Sequence, residues 1–328
     1  MGKGLIFVTG APGWLGTRLV EILRENKKSV RCLVLKNSDY SKLKDLGADT
    51  IEGDLLQPET LNNALNGVET VFHCAGIIHP KNVKEFYKIN VDGTKNILEA
   101  GIKANAKKFV HISSNSAQGN NVERAILMKE DQQEHPAKNY GKSKYKAEQI
   151  VKEAQKSGKI NTVILRPCWF YGIRQPDRMT KLMKMIKNGH PIIFGDGKNL
   201  RSMTYIDNLV DLMMLVEAND KANGQTYWAA DERPYETLEI YQEIANELGV
   251  KLNPRFIPKI VSQMFELADD VFQGVGMYNI NFHVAGEMTK DIACDISKAK
   301  NELGYKPRVD IKKGIKRSVE WCRQNNLL

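Results

Sequence analysis

The sequence predicts an α/β fold: a doubly wound parallel sheet with a smaller, mostly helical C-terminal lobe closing over it. Three features carry the prediction. Apolar, strand-like runs alternate with amphipathic, helix-like segments through the first half of the chain, a spacing that demands right-handed crossovers. The first unit, Gly4–Gly16 (GLIFVTGAPGWLG), reads as a buried strand, a glycine turn and the opening of a helix. Beyond Pro167 the alternation loosens into mostly helical sequence.

Leu5–Val8 is an apolar run without polar alternation, as expected of a strand covered on both faces. Gly10, Gly13 and Gly16 follow at spacings of three, and Thr17–Asn26 reads as a helix. Strand, glycines and helix in that order make a Rossmann-type dinucleotide fingerprint. Its glycines allow the turn, the approach of a pyrophosphate and the packing of helix on strand. The helix N-terminus, with Trp14 and Leu15, offers free N–H groups to phosphate. The second strand, Val30–Leu35, ends in Leu35-Lys36-Asn37-Ser38 with no acidic residue. Lys36 there favours the 2′-phosphate of NADP over the bare ribose of NAD.

Thr50–Glu52 is the third strand, leading through Gly53-Asp54-Leu55 into a helix expected over Pro58–Asn66. The fourth, Val68–Cys74, ends in Ala75-Gly76, small residues that leave room for a coenzyme across the strand tips. A long helix is expected over Val83–Ala104, then a strand over Phe109–Ile112. Asn139–Gln155 is the next helix, and Thr162–Leu165 a strand stopped by Arg166-Pro167. Phe194–Tyr205 reads as a loop passing into a helix over Asp207–Ala218, and Gln225–Ala229 as a further strand. From Asp231 onward the chain is expected to be mostly helical, ending with Asp295–Leu303 and Ile311–Asn325. This divides the chain into a coenzyme domain (1–168 with about 201–230) and a substrate lobe (about 169–200 with 231–328).

A chain of 328 residues, 42% hydrophobic and 27% charged, is of ordinary globular composition. Its net charge of +9 is spread along the sequence, which suits an anionic small ligand; there is no basic stripe with interleaved aromatics to bind nucleic acid. Five scattered cysteines without a CxxC pair imply reduced thiols, and six histidines without ligand spacing imply no metal. Leu209–Val216, the longest strongly apolar stretch, is about half of a membrane span. With a strand beginning at Leu5, no leader is expected, and the reading is a soluble cytoplasmic protein.

Tyr140-Gly-Lys-Ser-Lys144 carries the chemistry. A tyrosine and a lysine at i and i+4 share one helix face. A free phenol has a pKa near 10, too high for a base at neutral pH, and a fixed ammonium nearby favours the phenolate. Such a tyrosine can pass a proton to or from a secondary alcohol while a nicotinamide exchanges hydride. Ser113 and Ser114, at the end of the fifth strand, are placed to bond the same substrate oxygen. His79, just past a strand tip, could line the substrate site; His73 and His111 read as packing residues. Trp169, Phe170 and Tyr171 could stack on a substrate or cover the core.

TGAPGWLG, GDL (Gly53–Leu55), FHCAG, NVDGT (Asn90–Thr94), HISSNSAQG, YGKSK and LRP (Leu165–Pro167) occur in the order seen in the extended short-chain dehydrogenase/reductases. The chain resembles that family over essentially its whole length. The resemblance implies a catalytic triad of Ser114, Tyr140 and Lys144, with Ser114 chosen for lying five residues before Gly119. It implies that Asp54 and Leu55 flank the adenine, that Ala75 and Gly76 lie along the coenzyme with Pro167, and that Asn90 holds the central strands. Lys144 would also bind the nicotinamide ribose, and the family often forms homodimers through helices at about Val83–Ala104 and Asn139–Gln155.

Within the family the signals divide. Gly195–Asp207 resembles the segment in which nucleotide-sugar enzymes place an arginine, here Arg201, on the substrate diphosphate. Trp169 stands where those epimerases usually carry asparagine. The RP pair, Ile257-Pro-Lys with its apolar helical continuation and DISKAKNELGYKP look like the 3β-hydroxysteroid dehydrogenase and dihydroflavonol reductase branch. The expectation is an NAD(P)-dependent alcohol–ketone oxidoreductase, probed by Ser114, Asn115, His79, Trp169 and Arg201, on a nucleotide-sugar-like, anionic substrate. The alternatives are a 4-epimerase or dehydratase with retained NAD, an enzyme of apolar substrates, and a non-catalytic coenzyme-binding protein.

Overall fold

The computed structural model describes residues 4–124 and 126–328. Seven strands build one sheet: β1 (Leu5–Thr9), β2 (Val30–Val34), β3 (Asp49–Glu52), β4 (Val68–His73), β5 (Lys108–Ile112), β6 (Asn161–Pro167) and β7 (Thr226–Ala229). They lie in the order β7-β6-β5-β4-β1-β2-β3, and every neighbouring pair is parallel. This is the doubly wound sheet expected. The strand order reverses between β1 and β4, the switch point where such sheets open a crevice at their carboxyl edge.

Both faces of the sheet are buried, which explains the unbroken apolar runs. The side chains of β1 alternate: Ile6 and Val8 join one core, Phe7 the other. The first core lies under α1 (Trp14–Glu25) and α5 (Ile206–Ala218), and runs on into the C-terminal third through Ile292, Ile315 and Val319. The second lies under α2, a broken helix over residues 83–103, and α3 (Lys138–Lys156). After β6 come α4 (Asp177–Lys187), α5, α6 (Thr237–Leu248), α7 (Lys259–Gly274), α8 (Ile280–Glu287), α9 (Ser297–Leu303) and α10 (Ile311–Gln324). No helix among the described residues is long and apolar enough to cross a membrane.

Three segments differ from expectation. The helix expected over Pro58–Asn66 is a single 3₁₀ turn, Pro58–Leu61, because Asn62 and Asn63 are weak helix formers and Gly67 has a positive φ of 76°. The helix expected over Val83–Ala104 is interrupted by a π-helical turn, Lys88–Asp92, which carries Asn90. Such a turn accommodates one extra residue and re-aims a side chain. Finally, Phe194–Tyr205 is not plain loop. It contributes Leu200–Arg201, paired with Tyr235–Glu236, and Met203–Tyr205, paired with Trp169–Tyr171.

Candidate active site

The glycine turn lies at the tip of β1. Gly10 has φ of +81°, and a Cβ on it would lie 2.5 Å from the Ala75 backbone nitrogen. A Cβ on Gly13 or Gly16 would meet the Gly10 carbonyl oxygen, at 2.7 and 2.6 Å. The glycines therefore let the turn fold onto itself and onto the end of β4. Gly13 opens α1 with no side-chain cap, and the first turn, with Trp14, Leu15 and Gly16, holds no acidic residue. The first amides of a helix have no acceptor within it, so this end is a fixed positive pole. Across from it, a Cβ on Gly76 would sit 3.2 Å from Asn90 Oδ1 and 3.7 Å from Lys144 Nζ.

Asn90 ties three elements together. Its side-chain amide donates to the Ile77 carbonyl (3.1 Å) and to Ser143 Oγ (3.0 Å), while Oδ1 accepts from the Ile77 N–H (2.8 Å). The π turn thus pins the chain after β4 to α3, between Tyr140 and Lys144. At the far end, Lys36 is exposed in a hollow that it shares with Ser38, Glu52 and Asp54. Asp54 caps its own turn by accepting from the Leu56 N–H (2.8 Å), and Leu55 packs beside Gly93.

Ser114 caps the single helical turn Asn115–Gln118, accepting from the Ser116 N–H at 3.2 Å. Ser113 donates its N–H to the Leu165 carbonyl (2.8 Å), and its buried hydroxyl has no partner among the described residues. α3 comes close to that turn because Gly141 lacks a side chain; a Cβ there would lie 2.2 Å from the Ser116 carbonyl oxygen. Tyr140 stacks obliquely on Phe86, with ring centres 5.7 Å apart. Lys144, one turn on, is buried and donates to the Ile112 carbonyl at 2.7 Å. Burial lowers its pKa to about 8, with Glu148 opposing.

Burial raises the pKa of Tyr140, the Ser114 hydroxyl lowers it, Glu287 raises it and Arg178 lowers it. The Lys144 ammonium, one turn along the helix, is directed at the Ile112 carbonyl. The groups that favour the phenolate here are Ser114 and an arginine.

Ser113, Ser114, Asn115 and Tyr140 face a cavity of about 250 Å³ whose other walls are largely apolar: Trp14, Ile78, Pro167, Trp169, Phe170, Met179 and Val284. His79 lies on its rim, with Nδ1 3.1 Å from the Tyr278 hydroxyl. Arg201 does not reach the cavity wall. It is buried, its guanidinium lies 4.4 Å from the Trp169 ring centre, and Nη2 donates to the Glu287 carbonyl (2.7 Å). Burial lowers its pKa, and its Nε and Nη1 have no partner among the described residues.

Sequence reasoning missed the charged groups that do face the cavity: Arg178, which lies against Trp169 at 4.7 Å, Glu287 and His283. His283 Nδ1 lies 3.0 Å from Asp269 Oδ2. Burial works to lower His283, but Asp269 and Glu287 outweigh it and the imidazole is raised. The one available signal was the i, i+4 spacing of His283 and Glu287 on α8. Fully buried Arg166 holds Glu148 through Nε (2.9 Å) and Nη2 (2.6 Å), reaches Glu134 (3.1 Å) and contacts Gln118. No cluster of metal-ligating residues is found among the described residues.

Residues 7–259 match the model of the 3-beta hydroxysteroid dehydrogenase/isomerase family. An uncharacterized protein of Sinorhizobium fredii is 38% identical over 98% of this chain and 96% of its own. The 4-hydroxy-2-methyl-3-oxo-4-farnesyl-3,4-dihydroquinoline-1-oxide ketoreductase of Stigmatella aurantiaca is 27% identical over 94% of each chain. The crystal structure of UDP-glucose 4-epimerase with UDP-glucose from Thermotoga maritima superposes with a TM-score of 0.80 at 25% identity, over 98% of this chain and 99% of that one. With this match over residues 7–259, the chain belongs to the 3-beta hydroxysteroid dehydrogenase/isomerase family of extended short-chain dehydrogenase/reductases.

Proposed function

We propose that the protein interconverts a secondary alcohol and a ketone on a bulky, largely apolar substrate, with a nicotinamide coenzyme and with Tyr140 as the acid/base. The observation that carries this is the cavity: Ser114 and Tyr140 open onto walls of Trp14, Ile78, Phe170, Met179 and Val284. A pocket lined this way gains from burying apolar ligand surface, with a few polar groups fixing orientation. Arg201, the residue on which a diphosphate was expected, is instead engaged with Trp169 and the Glu287 carbonyl.

The residues present fit a dinucleotide: Gly10, Gly13 and Gly16 have no room for a side chain, and the uncapped end of α1 suits a diphosphate. Gly10, Gly13 and the amides of Trp14, Leu15 and Gly16 would hold it, with Ala75, Gly76 and Lys144 toward the nicotinamide end and Asp54 and Lys36 toward the adenosine. Bound there, it supplies or accepts hydride. Lys36 supports NADP over NAD, since Glu52 beside it is engaged by the Tyr40 hydroxyl (3.3 Å).

In the reducing direction, Ser114 donates a hydrogen bond to the ketone oxygen and polarises it. Tyr140 gives its proton to the developing alkoxide; its high pKa when buried keeps that proton in place beforehand. Lys144 carries the charge at the base of the cleft, and Arg178 and Ser114 stabilise the resulting phenolate. Tyr140→Phe should lower kcat by about 10²–10⁴-fold and leave coenzyme affinity within about twofold, measured by fluorescence titration. Undiminished turnover would remove Tyr140 from this role.

The Thermotoga neighbour and the cavity-facing Arg178 favour a second reading, a nucleotide-sugar epimerase. Such an enzyme turns over without added coenzyme and releases NAD on denaturation, which mass spectrometry detects.

A further inference from the structure

Helix α7 carries an apolar stripe that none of the described residues covers. Ile260, Met264, Leu267 and Val271 are 59–66% exposed and recur at spacings of four, three and four, so they fall along one line of the helix surface. Phe256 extends the line before the helix, and Val275 and Met277 extend it after. Single exposed apolar residues need no explanation, but a continuous row over about 25 Å does. The opposite side of α7 is fully engaged: Phe265 and Phe272 pack on Phe282 of α8, with ring centres 5.9 and 5.1 Å apart.

The exposed charges at the two ends of the stripe are cationic. Each acidic residue of α7 has a cationic partner: Glu266 has Lys290 (2.7 Å), Asp269 has His283 (3.0 Å) and the exposed Asp270 has Lys138. Arg255 and Lys259 are exposed at the start of the helix and have no ion-pair partner among the described residues. At its far end the Val83 N–H bonds to the Gly276 carbonyl (3.1 Å), which brings exposed Lys81 and Lys84 beside Met277. A second copy of this chain is a poor occupant: whether two stripes pair parallel or antiparallel, cationic ends meet cationic ends.

We propose that α7 docks the protein on an anionic phospholipid surface, lying in the plane of the headgroups with Ile260, Met264, Leu267 and Val271 buried and the terminal cations on lipid phosphates. The same helix is packed against α8, whose His283, Val284 and Glu287 form part of the cavity wall. Docking therefore brings the substrate cavity next to the lipid, the phase in which a bulky apolar ketone is concentrated. That last step rests on the proposed oxidoreductase activity; the docking does not.

The test is flotation of the full chain, without coenzyme or substrate, with vesicles of phosphatidylcholine and with vesicles containing about 30% phosphatidylglycerol. The wild type should float with the anionic vesicles, less in high salt. Leu267→Ser/Val271→Ser and, separately, Arg255→Glu/Lys259→Glu should each lower the bound fraction about tenfold or more. Thermal unfolding of each variant checks that it is folded, and the charge pair serves if the serine pair is not. Failure of the wild type to float, or equal flotation of the folded variants, overturns the proposal. So does light scattering that finds a wild-type dimer dissolved by the serine pair. Turnover of a water-soluble ketone is read separately, so loss of the oxidoreductase reading leaves the flotation result standing.

Discussion

Lys144 is held at a cost, and the cost is measurable. The side chain is 4% exposed, and burial brings its pKa from 10.5 to about 8. A lysine whose folded pKa is depressed binds its proton more weakly in the native than in the unfolded state. Between about pH 8 and 10.5 the unfolded chain therefore holds more protons, and stability rises with pH through that window. The shift of 10.5 − 8 = 2.5 units corresponds to about 3 kcal/mol, a penalty fully present below pH 8 and relieved above 10.5. Lys144→Met removes the ionisation and keeps the volume. Urea unfolding of the coenzyme-free protein from pH 7 to 10.5 should give a wild-type curve that climbs by about 3 kcal/mol relative to the variant. Activity should move the opposite way, since the cleft loses its ammonium as pH rises past about 8. Parallel stability curves for the two proteins across this range would refute the burial argument.

Arg166→Ala leaves Glu148 buried without its partner and should cost about 3–5 kcal/mol in urea unfolding, whereas Arg166→Met with Glu148→Leu should recover most of it. The wild-type pair also braces Gln118, next to the Ser114 turn, so the single variant should lose kcat as well. Lys36→Ala should raise KM for NADPH about tenfold or more and leave KM for NADH nearly unchanged, in steady-state assays with each coenzyme. An equal effect on both would assign Lys36 to the solvated surface.

The sheet was legible because parallel strands covered on both faces are written as apolar runs. The ends of β2, β4 and β6 fall within two residues of expectation. Ser114, Tyr140 and Lys144 could be singled out as candidates because glycines and the YxxxK spacing are local patterns. What was not legible depends on distant partners. The π turn at Asn90 exists for Ile77 and Ser143, 13 and 53 residues away, and nothing in Val83–Ala104 alone interrupts a helix. Arg178 and Glu287 reach the cavity from helices that share no sequence pattern, so their influence on Tyr140 could not be read beforehand. The ammonium of Lys144 lies on the expected face yet points to a strand carbonyl, a choice made by the end of β5 and not by helix geometry.

The Trp14 indole belongs to two sites at once. It stands in the first turn of α1, yet its Nε1 donates to the Ile173 carbonyl (2.7 Å) and its ring leans on Phe170 (6.2 Å). The helix end proposed to hold the diphosphate and the cavity wall proposed to face the ketone are in this way joined by one side chain. If an occupant at one end alters affinity at the other, thermodynamic reciprocity requires the same factor in both directions.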